Sequence, residues 1–139
     1  MSVKQVNLDV AKAMVDACYA KAKELNLKVV MAVADSHGDV LVLNRMDGAF
    51  LVSNDLAASK AWTVVALKMP TSTFAELILP GQPLYGMENS NGHRLATLGG
   101  GIPILFEGEV IGGVGVSGAT AEEDAIIAQA GIDCFQAMQ

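Results

Sequence analysis

The chain has 139 residues, 52% of them hydrophobic and only 17% charged, with a formal net charge of −6 and a sequence pI near 4.7. This acidic balance, with no cluster of Lys and Arg, excludes a phosphate-backbone binder. No apolar run approaches the ~18 residues of a membrane span, and no basic segment precedes an apolar core at the N-terminus, so a cytoplasmic protein with no membrane anchor is expected. One domain over residues 1–139 fits the unbroken patterning, long enough to bury about 68% of the unfolded surface. A charged fraction below the roughly 25% of an average soluble domain leaves apolar surface uncoated, which points to a homo-oligomer.

The first predicted helix takes Asn7 as N-cap and Asp9 in its first turn. Val10, Met14, Ala17, Cys18 and Leu25 follow helical spacing, Lys21 and Lys23 occupy the last turn, and Asn26 suits the left-handed stop. Val29 to Ala34 is a fully apolar run of strand length. Ser36-His37-Gly38-Asp39 turns it into a second strand, Val40 to Met46. Ser53-Asn54-Asp55 is predicted to open a long helix that reaches Met69 and stops at Pro70, apolar or small all round and so buried on two sides. Thr73-Phe74-Ala75-Glu76 has capping-box spacing for a short helix ended by Pro80.

From Pro80 to Ala96 no periodicity survives, and the segment gathers polar chemistry: Tyr85, Met87, Asn89, Asn91, His93 and Arg94. Loops of this length are more often functional or disordered than neutral, so a site is expected to use it. Ile102 to Phe106 and Val110 to Val116 form a second hairpin around Glu107-Gly108-Glu109, and Thr120-Ala121-Glu122-Glu123 caps a last helix. Cys18 and Cys134 sit in helical patterns and read as small buried hydrophobes.

Gly113-Val114-Gly115-Val116-Ser117-Gly118 matches the dinucleotide-binding glycine pattern. That fingerprint needs a further strand carrying an acidic residue, and the chain after Gly118 is taken up by a helix, so the glycines are expected to be structural. Alternate glycines on a strand allow close approach by a packed helix, another subunit or a ligand. Two hairpins with helices between and after them predict an α+β fold, an antiparallel sheet with helices packed on it.

Several spaced motifs carry a family resemblance. Asp35 to Ala49, Ala58-Ser-Lys-Ala-Trp-Thr-Val-Val-Ala66, Met69-Pro-Thr-Ser72, Gly100-Gly-Ile-Pro-Ile104 and Gly108 to Gly118 are together similar to the GlcG/HbpS family, to which the C-terminal domain of PduO-type adenosyltransferases is related. The resemblance covers nearly the whole chain and implies a profilin-like fold, a five-stranded antiparallel sheet flanked by helices, often in dimers or rings. It also implies a setting in small-alcohol or hydroxy-acid catabolism, a link to corrinoids in some members and haem binding in others.

The family pattern falls on Asp35, Gly38, Arg45, Asp47, Gly48, Lys60, Pro70, Gly100, Gly101, Pro103, Gly108, Gly113, Gly115, Ser117 and Gly118. Arg45, Asp47 and Lys60 stand out, because charges beside a buried strand or inside an apolar helix need partners; a salt bridge among them and ligand contact are the two readings. The resemblance implies no shared iron ligand. Haem would need an axial His, Met, Cys or Tyr, an apolar slot and basic groups for its propionates. His93 is the first candidate for the metal, with Tyr85 and Met87 behind it and Arg94, Arg45 or Lys60 near the propionates. His37 reads as a solvated turn residue. Ser117 lacks a nucleophile elbow and a downstream histidine, and no carboxylate pair suits acid–base work, so an enzyme is not favoured. Two functions stand side by side: a small-molecule binder for haem, a corrinoid or a metabolite, and a cofactor-free oligomeric accessory of a partner catabolic enzyme.

Overall fold

The computed structural model describes residues 3–139. Four helices and four strands follow one another as α1 (Leu8–Glu24), β1 (Val30–Ala34), β2 (Val40–Arg45), α2 (Val52–Leu67), α3 (Thr71–Leu77), β3 (Gly101–Phe106), β4 (Glu109–Ser117) and α4 (Ala121–Ala137). The sheet is antiparallel throughout, in the order β2-β1-β4-β3. Helices α1 and α4 cover one face, where Met14, Val15, Met31, Val33, Ile127 and Phe135 form the main core. Helix α2 covers the other, closing Ala57 and Ala61 over Val30, Ala32 and Ala34. Among the described residues no helix is long and apolar enough to cross a membrane.

The antiparallel sheet with flanking helices matches the expectation, but among the described residues it has four strands, not five. The two hairpins account for all four. The segment that could have added another is spent on turns: Gly81, Gly86, Asn91, Gly92 and His93 all have positive φ, which no extended ladder accepts.

Where local chemistry decides, the elements form as the residues dictate. The Asn7 side chain accepts from the Val10 amide at 2.9 Å, and Asn26 takes φ 56° after α1. Glu107 and Gly108, at φ 50° and 80°, make the two-residue turn between β3 and β4 whose twist suits a hairpin. Thr120 and Glu123 form the complete capping box of α4.

Two caps do not form. Leu51 is already αR and the Phe50 carbonyl accepts from the Ser53 amide at 3.1 Å, so α2 starts earlier and Ser53 lies inside it; Pro70 sits at the N-cap of α3, which leaves Thr73 inside the first turn with no capping bond. The left-handed Lys68 (φ 58°) ends α2 just ahead of Pro70.

The glycines of β4 explain how close α2 can lie. A Cβ on Gly113 would strike the Ala61 carbonyl oxygen, and one on Gly115 would strike the Ala57 carbonyl oxygen and lie 2.6 Å from the Ala61 amide nitrogen. The packed helix is therefore the neighbour these glycines admit, and the Gly113–Gly118 run belongs to an antiparallel strand and its exit, not to a phosphate-cradling strand–helix turn. Because the obstacle is backbone, side chains cannot relax around it. Gly115→Ala should cost about 3 kcal/mol, the upper end of overpacking penalties, read as a lower denaturation midpoint in urea at constant m-value.

Candidate functional site

Helix α2 organises the chemistry. At roughly 100° per residue, Val52, Ser53, Leu56 and Lys60 line one flank while Asp55, Ala58 and Ser59 line the other, and a separate cavity opens on each.

The cleft on the Asp55 side has a volume of about 510 Å³, and His93 and Arg94 are among its walls, facing Gly38, Asp39 and Val40 of the β1–β2 turn. Trp62 joins these parts. The Arg94 guanidinium lies 4.1 Å from its ring centroid, a cation–π contact, and Gly38 leaves the space that the indole edge fills, since a Cβ there would lie 2.6 Å from Trp62 Cδ1. Behind Arg94 the loop is pinned to the helix: Leu95 and Ala96 are buried, and the Ala96 amide donates at 2.8 Å to Thr63 Oγ1, whose hydroxyl donates to the Ser59 carbonyl at 2.6 Å. Asn91, Gly92 and His93 turn left-handed in succession, which brings an exposed imidazole to the mouth of the cleft. In the turn, Asp35 Oδ1 accepts from the amides of His37 and Asp39, and the His37 side chain is exposed.

On the other flank, Lys60 is 1% and Asp124 2% exposed. Lys60 Nζ donates to the Val116 carbonyl at 2.8 Å and to Asp124 Oδ2 at 3.2 Å, and Asp124 Oδ1 accepts from the Ala119 amide at 3.0 Å. Ser117 Oγ donates to Ser53 Oγ at 3.3 Å beside them. Burial pushes the lysine below its ordinary range despite the attraction of Asp124, and burial pushes the carboxyl above its own despite Lys60. A cavity of about 220 Å³ lies over this pair, walled by Phe50, Val52, Leu56 and Leu98. Apolar side chains stand exposed around it, with Phe50 69%, Leu51 77%, Val52 61% and Leu98 51% exposed.

The sequence-predicted residues are thus only partly brought together. His93 and Arg94 share one cleft. Lys60 lies in the other cavity and pairs with Asp124, not with Asp47, the carboxylate among the three charges that the sequence singled out. Arg45 is exposed at the end of edge strand β2, lining a third depression with Tyr19 and Asp47. Tyr85 is exposed and Met87 half-buried in the loop, and neither lines the His93 cleft. Asp124 and Trp62 were missed as site residues. Asp124 had a signal, because it shares the stripe of Ile127, Ala128, Gly131 and Phe135 on α4, where a carboxylate needs a partner. Among the described residues no cluster of three His, Cys, Asp or Glu could hold a metal ion. The Cys18 thiol, buried between α1 and α4, is pushed up to about 12 by burial and stays protonated.

A family model described as haem-degrading protein HbpS-like matches residues 6–133. The chain belongs to this HbpS-like family. The solved structure of Klebsiella pneumoniae protein ORFY superposes with a TM-score of 0.94 at 42% identity, covering 100% of this chain and 96% of that one. A crystal structure of a PduOC–haem complex superposes with a TM-score of 0.90 at 37% identity, over 94% of this chain and 95% of that one. The corrinoid adenosyltransferase PduO of Salmonella typhimurium is 41% identical over 116 residues, 84% of this chain but only 34% of that protein, so this HbpS-like chain spans about a third of it.

Haem can be tested against the geometry of the chain. The His93 cleft offers an imidazole and a fixed guanidinium, but Asp39 and Asp55 make its walls polar and acidic. The Phe50–Leu98 cavity offers apolar walls, but no His, Met, Cys or Tyr lines it. Neither cavity of a single chain combines an axial ligand, a basic partner and an apolar slot.

The buried pair makes a prediction. Removing one partner leaves an uncompensated buried charge, so Asp124→Ala should cost about 3–5 kcal/mol, whereas Lys60→Met with Asp124→Asn, which buries no charge, should recover most of it. The sign of the pH dependence follows from the two shifts. A raised carboxyl withdraws stability as pH rises through its folded-state pKa, and a lowered amine restores it as pH rises through its own. Urea unfolding across pH should show both slopes in the wild type and neither in the double variant.

Proposed function

We propose that this chain is a haem-binding protein whose binding site is completed by a second copy of the chain. The observation that carries the reading is the PduOC–haem complex, a relative of the same fold over almost the whole length. The geometry adds the division of labour. His93 is the iron-ligand candidate, exposed at the cleft mouth, and Arg94 is held on Trp62 where it can meet a propionate. The apolar surface that a porphyrin needs lies across α2 at Phe50, Leu51, Val52 and Leu98, and a symmetric assembly can bring one chain's apolar rim to another's His93 cleft. Lys60, held by Asp124, is outside the reach of a propionate in this reading, and Arg45 serves elsewhere. A corrinoid would call on the same flat apolar contact, and the PduO relative gives it a place as the second ligand class.

The cofactor-free accessory reading has one observation in its favour, the exposed Phe50-Leu51-Val52 run, which would suit a partner protein as well as another copy.

Haemin titration separates the two. Trp62 is the only tryptophan and touches Arg94, so haem at this site should quench its fluorescence in step with a saturable shift of the Soret band. His93→Ala should move the Soret maximum or weaken binding by about tenfold or more, as loss of ligands and their orienting partners typically does. No saturable shift in the wild type would support the accessory reading instead.

A further inference from the structure

The Phe50–Leu98 cavity lies beneath the rim assigned above to the haem contact, and in the haem-free chain its buried wall holds a grouping that haem does not use. Its mouth is apolar and exposed, while Lys60 and Asp124 belong to its buried wall. At about 220 Å³ it holds roughly seven water volumes of ~30 Å³, enough for an aliphatic chain of a few carbons and far too little for a porphyrin. We propose that Lys60 is the amine of a covalent site for short-chain aliphatic aldehydes, with Asp124 as its proton carrier and Phe50, Val52, Leu56 and Leu98 seating the alkyl chain.

The chemistry follows from the contacts. The Lys60 ammonium passes a proton to Asp124 Oδ2, 3.2 Å away, and keeps one N–H on the Val116 carbonyl at 2.8 Å. Burial disfavours both charges, which brings the neutral amine and neutral acid within reach at ordinary pH. The freed nitrogen lone pair, turned by rotation about Cε–Nζ, forms a bond to the aldehyde carbon as the carbonyl π pair moves to oxygen. The nitrogen loses a proton and the oxygen gains one, giving the carbinolamine. The Asp124 carboxylic acid then protonates that hydroxyl, the C–O bond breaks, and water leaves with the iminium formed on Lys60. Asp124 is again a carboxylate, so protons and charge balance without any co-reactant. A carboxylate ligand would bring a second negative charge beside Asp124, and an alcohol carries no electrophilic carbon for the amine; the carbonyl group uses every element present.

The test uses the haem-free protein with propionaldehyde and cyanoborohydride, followed by peptide mapping. Lys60 should acquire one propyl group several-fold faster than the exposed Lys12 and Lys68, because the cavity seats the alkyl chain beside its amine. Leu98→Trp, a change at the exposed mouth, should slow labelling of Lys60 several-fold and leave Lys12 unchanged. Lys60→Met with Asp124→Asn should remove the fast-labelled site while circular dichroism stays native. Label on Lys12 and Lys68 with none on Lys60, or Lys60 labelling that Leu98→Trp does not slow, overturns the proposal.

Discussion

Everything in this chain depends on how closely α2 lies on β4. Gly113 and Gly115 remove the side chains that would hold the helix off, and the backbone of Ala57 and Ala61 occupies the space. Lys60, three residues after Ala57 and next to Ala61, then reaches over the strand to the Val116 carbonyl and to Asp124 on α4. One lysine therefore ties a helix, a strand and a second helix, and Gly100 leaves room for it, since a Cβ there would lie 2.8 Å from Nζ. The pair is costly to bury and costlier to break.

That fixed helix separates two kinds of surface. One flank carries the imidazole and the stacked guanidinium, the other the apolar rim and its buried amine. In a single chain these halves cannot close on one flat ligand, because the body of α2 stands between them. The chain belongs to the HbpS-like family and a relative forms a haem complex, and the function proposed above rests on a ligand that uses both halves. In the function proposed above, a self-complementary assembly brings the two halves together, and the low charged fraction of the chain is consistent with it.

Much of the fold was legible because it is set by short-range chemistry. The Asn7 cap, the Asn26 stop, the Glu107-Gly108 turn and the Thr120 capping box each depend on residues within a few positions of one another. Two local signals failed for the same kind of reason: the Thr73 box lost to Pro70 and the Ser53 cap lost to a helix that began at Val52. The strand count went wrong where the resemblance was preferred to the two hairpins that the residues themselves showed. The site was legible only in parts. A lysine inside an apolar helix announced a partner, and Asp124 on the core stripe of α4 answered it, but pairing them across 64 residues needed the sheet order. Arg94 on Trp62 had no signal, since a turn-rich loop carries no period from which its landing place could be read.

The claim that two copies make one site is tested most directly by haemin binding to a variant that cannot assemble. Leu51→Asp with Val52→Asp charges the exposed rim and leaves His93, Arg94 and Trp62 in place. The account predicts a folded monomer near 14.5 kDa by light scattering that has lost the saturable Soret shift of the wild type. A monomer that still binds one haem per chain with wild-type affinity would contradict it.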